Sequence, residues 1–252
     1  MTPTLRRALF ALTLAAAALQ ARADELQVAV AANFSGAAQK IAAQFEHDTG
    51  HAVKLSFGST GKFYAQIEAG APFDVLLAAD QATPGKLVTE GKGVPATLRT
   101  YAIGRLVLWS ADPALVDAKG GVLRSGQWKH LSVADAKLAP YGQAARETLA
   151  ALKLTDAVQA RLVTAESIGQ ALQFVQSGNA ELGFVALGQV QPPDGSPVPG
   201  SMWLVPDDLY APIRQDAVVL AASKASKAAA EFVDYLASDK ARAVIKAFGY
   251  RW

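Results

Sequence analysis

LQVAVAANFSG at residues 26–36 and AVKLSFGSTG at residues 52–61 follow one pattern twice: a β-rich apolar run, a short polar turn, then the start of an amphipathic helix. The second copy continues through IEAGAPFDVLLAADQ at residues 67–81, where Gly70 and Ala71-Pro72 stop the helix before a third apolar run. This alternation predicts a parallel sheet with crossover helices. Strands are expected at 26–32, 52–57 and 74–79, and helices at 36–48, 61–69 and 83–90. The turns Asn33-Phe34-Ser35-Gly36 and Gly58-Ser59-Thr60-Gly61 each set a helix N-terminus at the end of a strand. Such a terminus offers unpaired N–H groups and roughly half a positive charge, so two side by side make a natural anion site.

A long β run at 101–110 opens a second alternation, with strands at 131–134, 161–164 and 181–187 and helices at 142–153, 155–160 and 168–177. Residues 191–200 hold four prolines and two glycines and read as a loop. A strand at 201–205, a second long β run at 212–221 and helices at 225–237 and 239–247 complete the pattern. The two long runs bracket the second alternation as a pair of crossings would. The expected architecture is therefore α/β with two lobes joined by two crossover strands: residues 24–104 with 212–252 form lobe 1, and 105–211 form an inserted lobe 2. Ligands of open α/β sheets bind at the carboxyl ends of the strands, here in the cleft between the lobes.

The first 23 residues have the three parts of a secretory signal: Arg6 and Arg7, an apolar run of 12 residues from Ala8 to Leu19, and Ala21-Arg22-Ala23. Cleavage is expected after Ala23, giving a periplasmic protein; the apolar run is short of the roughly 20 residues that span a bilayer. This segment carries three of the 24 basic residues and none of the 22 acidic ones, so the rest is nearly neutral. That balance argues against nucleic acid, which needs a basic stripe, and against a polybasic membrane contact. The absence of cysteine excludes disulfides, thiolate metal sites, a thiol nucleophile and a lipid-anchored cysteine.

Gly58-Ser59-Thr60-Gly61-Lys62 invites a nucleotide phosphate loop, but Ser56 stands where its first glycine belongs and Phe63 replaces the Ser or Thr that would hold Mg²⁺. His47 and His51 have i, i+4 spacing, yet Gly50 should end their helix between them. No G-x-S-x-G nucleophile elbow occurs. Asp74 and Asp80 flank the apolar strand, and Asp80 reads as a helix cap rather than half of an acid–base pair. Ser35, Ser59, Thr60 and Ser167 can all be simple N-caps, and Phe34 a core residue. In the second lobe, Ala139-Pro140-Tyr141-Gly142 and Glu166-Ser167-Ile168-Gly169 again open helices. No set of residues assembles an enzyme, and the chain is expected to be none.

Residues 29–81, with LAPYGQAARETL, LVTAESIGQALQFVQSGNAELGFVAL and EFVDYLASDKARAVIKAFGY, resemble the periplasmic molybdate-binding proteins of ABC-type importers. The likeness runs over essentially the whole chain beyond the leader. It implies a type II periplasmic binding-protein fold, capture of molybdate or tungstate, a membrane permease as partner, a monomer, and no cofactor. In the better-known branch the anion is held by two serines, two backbone N–H groups and a tyrosine hydroxyl. Asn33, Thr60 and Ala186 stand at the two serine positions and the tyrosine position, and Tyr141 and Ile168 at the backbone positions. Asparagine in the first turn with tyrosine in the APYG turn looks like a second branch of the family. The ligand set implied is Asn33, Thr60, Ser59, Tyr141 and Ile168.

Molybdate at neutral pH only accepts hydrogen bonds, so a pocket of neutral donors without carboxylates suits it. Four helix starts, near Gly36, Gly61, Gly142 and Gly169, would bring about two positive charges in all. Other tetrahedral oxyanions such as sulfate, an organic carboxylate, or a phosphate-ester hydrolase using the same cradle are the alternative readings.

Overall fold

The computed structural model describes residues 24–252. The secretory leader and the cleavage after Ala23 lie outside the described residues. Ten strands form two five-stranded sheets. The first holds β1 (Glu25–Ala31), β2 (Ala52–Gly58), β3 (Val75–Leu77), β4 (Arg99–Gly104) and β10 (Ile213–Val219), in the order β2-β1-β3-β10-β4. The second holds β5 (Leu106–Ser110), β6 (Leu131–Ala134), β7 (Leu162–Ala165), β8 (Leu182–Ala186) and β9 (Ser201–Leu204), in the order β7-β6-β8-β5-β9. Each sheet has a parallel trio, with β1 between β2 and β3 and β6 between β7 and β8, and one antiparallel strand that the chain contributes near a crossing. The two lobes thus share one topology.

Helices cover both faces of the first sheet, which is why its strands read as nearly continuous apolar runs. Leu26, Val28 and Val30 pack with Phe34, Ile41 and Phe45 and with Phe232 and Ile245 of the C-terminal helices Ser226–Tyr235 and Asp239–Ala247. Ala29, on the other face, joins Phe63, Ile67, Leu76, Leu87 and Val218. Phe45 meets Phe232 edge to face at 5.1 Å and Tyr235 at 5.4 Å. Side chains of this size each contribute about 1.5–3 kcal/mol when fully buried, which fixes the C-terminal segment to the first lobe.

The expected elements fall within a few residues of the observed ones. The β run 101–110 is two strands, β4 in the first sheet and β5 in the second, and the chain crosses at Arg105. The run 212–221 forms β10 wholly inside the first sheet, and the return crossing falls just before it, from Val205 to Pro212 through the 3₁₀ turn Asp207–Leu209. Pro206 and Pro212 lack an N–H for a ladder, so this stretch cannot continue a strand. The helices Val122–Ser125 and Leu187–Val190 are one turn each, too short for a periodic signal.

Strand ends and helix starts are joined without slack. Helix Pro140–Ala151 begins so close to the end of β6 that a Cβ on Gly142 would stand 2.2 Å from the Ala134 carbonyl oxygen. Gly142→Ala should therefore destabilise the protein by about 1–3 kcal/mol, read as a lower urea midpoint, because backbone cannot move aside as a side chain can. Gly85 sits in helix Ala82–Thr89 with open space around it, so Gly85→Ala should be neutral or stabilising by up to about 1 kcal/mol.

Candidate functional site

The carboxyl ends of β1, β2, β6 and β7 each run into a helix, Ser35–Thr49, Thr60–Glu68, Pro140–Ala151 and Ile168–Gln176, and the two lobes turn these ends toward each other. Between them lies a small cavity lined by Ala31, Ala32, Asn33, Gly58, Ser59, Thr60, Ala79, Ala139, Pro140, Tyr141 and Ile168. All five residues singled out in the sequence line it. No lining residue is charged, and most are small, so backbone N–H groups can come close to whatever is enclosed. A larger groove opens alongside, sharing Ala79, Ala139 and Pro140, but it carries both signs of charge in Asp80, Lys137, Glu147 and Arg214.

Each donor at the cavity is set by a local constraint. Thr60 is 1% exposed, and its Oγ1 accepts the Ala79 N–H at 3.0 Å, which leaves its own proton to point elsewhere. Ser59 is the N-cap of its helix, its Oγ accepting from Lys62 N–H at 3.4 Å. Ser167 caps helix Ile168–Gln176 in the same way, through Gln170 N–H at 3.2 Å. Pro140 occupies the first position of its helix and has no N–H, so Tyr141 supplies the first one. Among the described residues the N–H groups of Thr60, Tyr141 and Ile168 have no intramolecular acceptor.

The first turn differs from its sequence reading. Residues Ala32–Phe34 form a 3₁₀ turn, helix Ser35–Thr49 follows, and Ser35 makes no side-chain cap. Phe34 is buried, packed edge to face on Tyr101 at 4.8 Å and on Tyr250 at 5.2 Å. The Asn33 amide lines the cavity, yet its Nδ2 donates to Gln215 Oε1 at 2.8 Å and to Tyr250 OH at 3.2 Å, while its Oδ1 has no partner. The Tyr141 hydroxyl reaches β10, where it accepts from Gln215 Nε2 at 3.3 Å. Burial pushes the phenols of Tyr101 and Tyr141 well above their usual range, and Tyr250 upward too, so all three stay protonated. Ala186 ends β8, its N–H bonded to Gln189 Oε1 at 3.0 Å.

The lobes touch across the cleft. Gly61 N–H donates to Leu138 O at 2.9 Å, and Lys62 pairs with Glu166. A Cβ on Gly61 would lie 3.1 Å from the Leu138 backbone, and one on Gly169 3.1 Å from Ala32 Cβ. Asp74 and Asp80 are structural: Asp74 accepts from Gln27 N–H and Ser223 Oγ, and Asp80 from Thr83 N–H at 2.7 Å as a helix cap. His47 is exposed, and His51 Nδ1 accepts the Asp24 N–H at 3.0 Å. Among the described residues no three His, Cys, Asp or Glu side chains gather as a metal site.

The family of bacterial extracellular solute-binding proteins matches residues 26–251. The chain belongs to this family. Over 250 residues it is 56% identical to the molybdate-binding protein ModA of Azotobacter vinelandii, covering 99% of each chain. It is 48% identical over 233 residues to the molybdate-binding protein ModA of Rhodobacter capsulatus, covering 92% of this chain and 90% of the relative. The solved periplasmic molybdate-binding protein of Azotobacter vinelandii aligns with a TM-score of 0.88 at 44% identity, over 90% of this chain and 99% of that one.

Sequence reasoning missed the residues behind the cavity in this solute-binding protein. Gln215, Tyr101 and Tyr250 are buried and bonded to Asn33, to one another or to Tyr141. The sequence carried little signal for them: Gln215 stands between Arg214 and Asp216 in IRQDAVV and is not singled out by the pattern. Thr60→Val should cost about 1–3 kcal/mol of stability by leaving Ala79 N–H unpaired, while Thr60→Ser stays near wild type; urea melts of the ligand-free protein check both.

Proposed function

We propose that this protein captures molybdate, and tungstate with it, in the periplasm and hands it as a monomer to the membrane permease of an ABC importer, without catalysis. The observation that carries this reading is the convergence of four helix N-termini and neutral hydroxyl and amide groups on one small cavity with no charged side chain. The relatives named as molybdate-binding proteins support the choice of anion. The ligand set proposed is the N–H groups of Thr60, Tyr141 and Ile168, the hydroxyls of Thr60 and Ser59, and the side-chain amide of Asn33. Tyr141 acts through its backbone, since its hydroxyl is engaged by Gln215.

Residues 24–104 with 212–252 form the lobe that supplies Asn33, Ser59 and Thr60, and residues 105–211 the lobe that supplies Tyr141 and Ile168. With two helix N-termini in each lobe, each half offers about one positive charge, and only closure opposes a dianion with about two. The ligand then favours the closed state by the donors it gains there. Phosphate carries a proton near neutral pH, and with Asn33 presenting its NH₂ to the ligand that proton is left unpaired at a cost of about 1–3 kcal/mol, a rejection of roughly tenfold to hundredfold.

Isothermal calorimetry with molybdate, tungstate, sulfate and phosphate tests the reading. Strong heats are expected with the first two and weak or absent heats with phosphate; binding of sulfate alone, or of none of the four, would overturn it. Because the cavity phenols are held protonated by burial, their donor and acceptor roles do not change below the ordinary tyrosine range. Molybdate affinity should accordingly stay flat between about pH 7 and about pH 9, and a fall over that interval would place a titrating group in the site.

A further inference from the structure

Behind Asn33 lies a buried hydrogen-bonded cluster that the binding reading does not use: Gln215 on β10, with Tyr101, Tyr141 and Tyr250. Gln215 is 0% exposed and Asn33 and both Tyr101 and Tyr141 are 1% exposed. As arranged, Gln215 Oε1 accepts from Asn33 Nδ2 at 2.8 Å and lies 3.0 Å from Tyr101 OH, which is also 2.9 Å from Ala78 O. Tyr101 has a single proton for these two acceptors. The buried Asn33 Oδ1, on a residue that lines the cavity, has no partner. An anion that only accepts cannot bind an oxygen there, so this arrangement suits the cluster and not the ligand.

Turning both amides by half a rotation exchanges the oxygen and nitrogen of each, moves no other heavy atom and changes the pairing. Gln215 Nε2 then donates to Asn33 Oδ1 and to Tyr101 OH, whose own proton goes to Ala78 O. Gln215 Oε1 accepts the proton of Tyr141 OH, a group of the other lobe, so the 3.3 Å contact reverses its direction. Asn33 Nδ2 is released to the cavity at the expense of its 3.2 Å contact with Tyr250, whose hydroxyl keeps its 2.6 Å bond to Asn33 O. Every donor in this second arrangement has an acceptor once an anion takes Asn33 Nδ2. Gly104 makes the junction possible, since a Cβ there would stand 2.0 Å from Tyr141 OH and 2.6 Å from Gln215 Nε2.

We propose that Gln215 is a positioning residue for the anion: its amide and that of Asn33 reverse together, so that Gln215 presents Asn33 Nδ2 to the ligand and ties it through Tyr141 to the second lobe. This inference rests on the oxyanion reading above and deepens it. The role is specific to an amide, because the second arrangement needs one group at position 215 that donates to Asn33 and accepts from Tyr141.

The test compares wild type, Gln215→Met and Gln215→Glu by calorimetry with sodium molybdate, alongside ligand-free thermal melts. Gln215→Met should bind about tenfold more weakly or worse, and its ligand-free form should still melt cooperatively, at a lower temperature because Tyr141 OH loses its buried partner. Gln215→Glu should bind poorly at about pH 8 and regain affinity toward about pH 6, where a buried carboxyl takes up a proton and can donate to Asn33, while wild type and Gln215→Met stay flat. Gln215→Met binding within about twofold of wild type would overturn the proposal. If that variant does not fold, wild-type protein labelled with ¹⁵N at Asn and Gln decides: molybdate must shift the Asn33 and Gln215 side-chain amide signals together, and a shift confined to Asn33 overturns the coupling. Should wild type bind sulfate in place of molybdate, the same comparison is run with sulfate, so that the choice of anion and the role of Gln215 fail separately.

Discussion

Bringing four helix N-termini to one buried point concentrates partial charges of one sign in a region of low dielectric. Each terminus carries roughly half an elementary charge, and inside the protein their mutual repulsion is screened far less than in water. Two of them belong to each lobe, so the repulsion acts across the cleft and opposes closure until an anion sits between them. Contacts between the lobes include the Gly61 to Leu138 backbone bond, the exposed Lys62–Glu166 and Arg251–Asp207 pairs, the buried Gln215–Tyr141 contact and the packing of Ala31, Ala32 and Ala79 with Tyr141 and Ile168. An exposed ion pair contributes about 0–1 kcal/mol, so an anion enclosed between the N-termini adds a stabilisation that these pairs do not supply.

The sheets make this meeting possible by their strand order. Both place the first strand of the parallel trio between the other two, so neighbouring strands deliver adjacent helix starts at the same edge. Alanine and glycine at 31, 32, 58, 79 and 139 keep that edge thin, and Pro140 removes an N–H at the one start where the next residue must supply it. Packing elsewhere serves the same end. The C-terminal helices hold β1 from behind, and Tyr250, at the end of the chain, returns to bond the Asn33 carbonyl oxygen at 2.6 Å. The first turn is therefore fixed by residues more than two hundred positions away.

That long reach explains what the sequence disclosed and what it withheld. Strand and helix periods are local, and glycine stops such as Gly50, with φ of 80°, mark boundaries within a residue or two. Helix starts at strand ends were legible for the same reason, and with them the turn that holds Ser59 and Thr60; Tyr141 and Ile168 were singled out only by the family resemblance. The partners of Asn33 were not, because burial of Gln215 in β10 and its contact with a residue 182 positions earlier arise only when β10 is inserted between β3 and β4. Gln215 lies between two charged residues, Arg214 and Asp216, so nothing in the local pattern marks it as the buried one or names its partner. The return crossing itself, Val205 to Pro212, has no period to read, because its prolines and 3₁₀ turn carry neither a strand nor a helix pattern.

A carrier must also let go, and neutrality of the donors bears on that as much as on capture. An arginine or lysine in the cavity would remain with the anion when the lobes part and would keep a large share of the attraction on one side. Divided N-termini behave differently: on opening, each lobe retains only about one positive charge and half of the donors, while water regains access to the anion. Asp80 and Asp216 sit beside the groove but face Thr83, Gln81 and Thr100 instead of the cavity, so no carboxylate repels the ligand in the closed form. Affinity is thereby made a property of the two lobes together and of neither alone, which is what permits a permease that separates them to release the cargo.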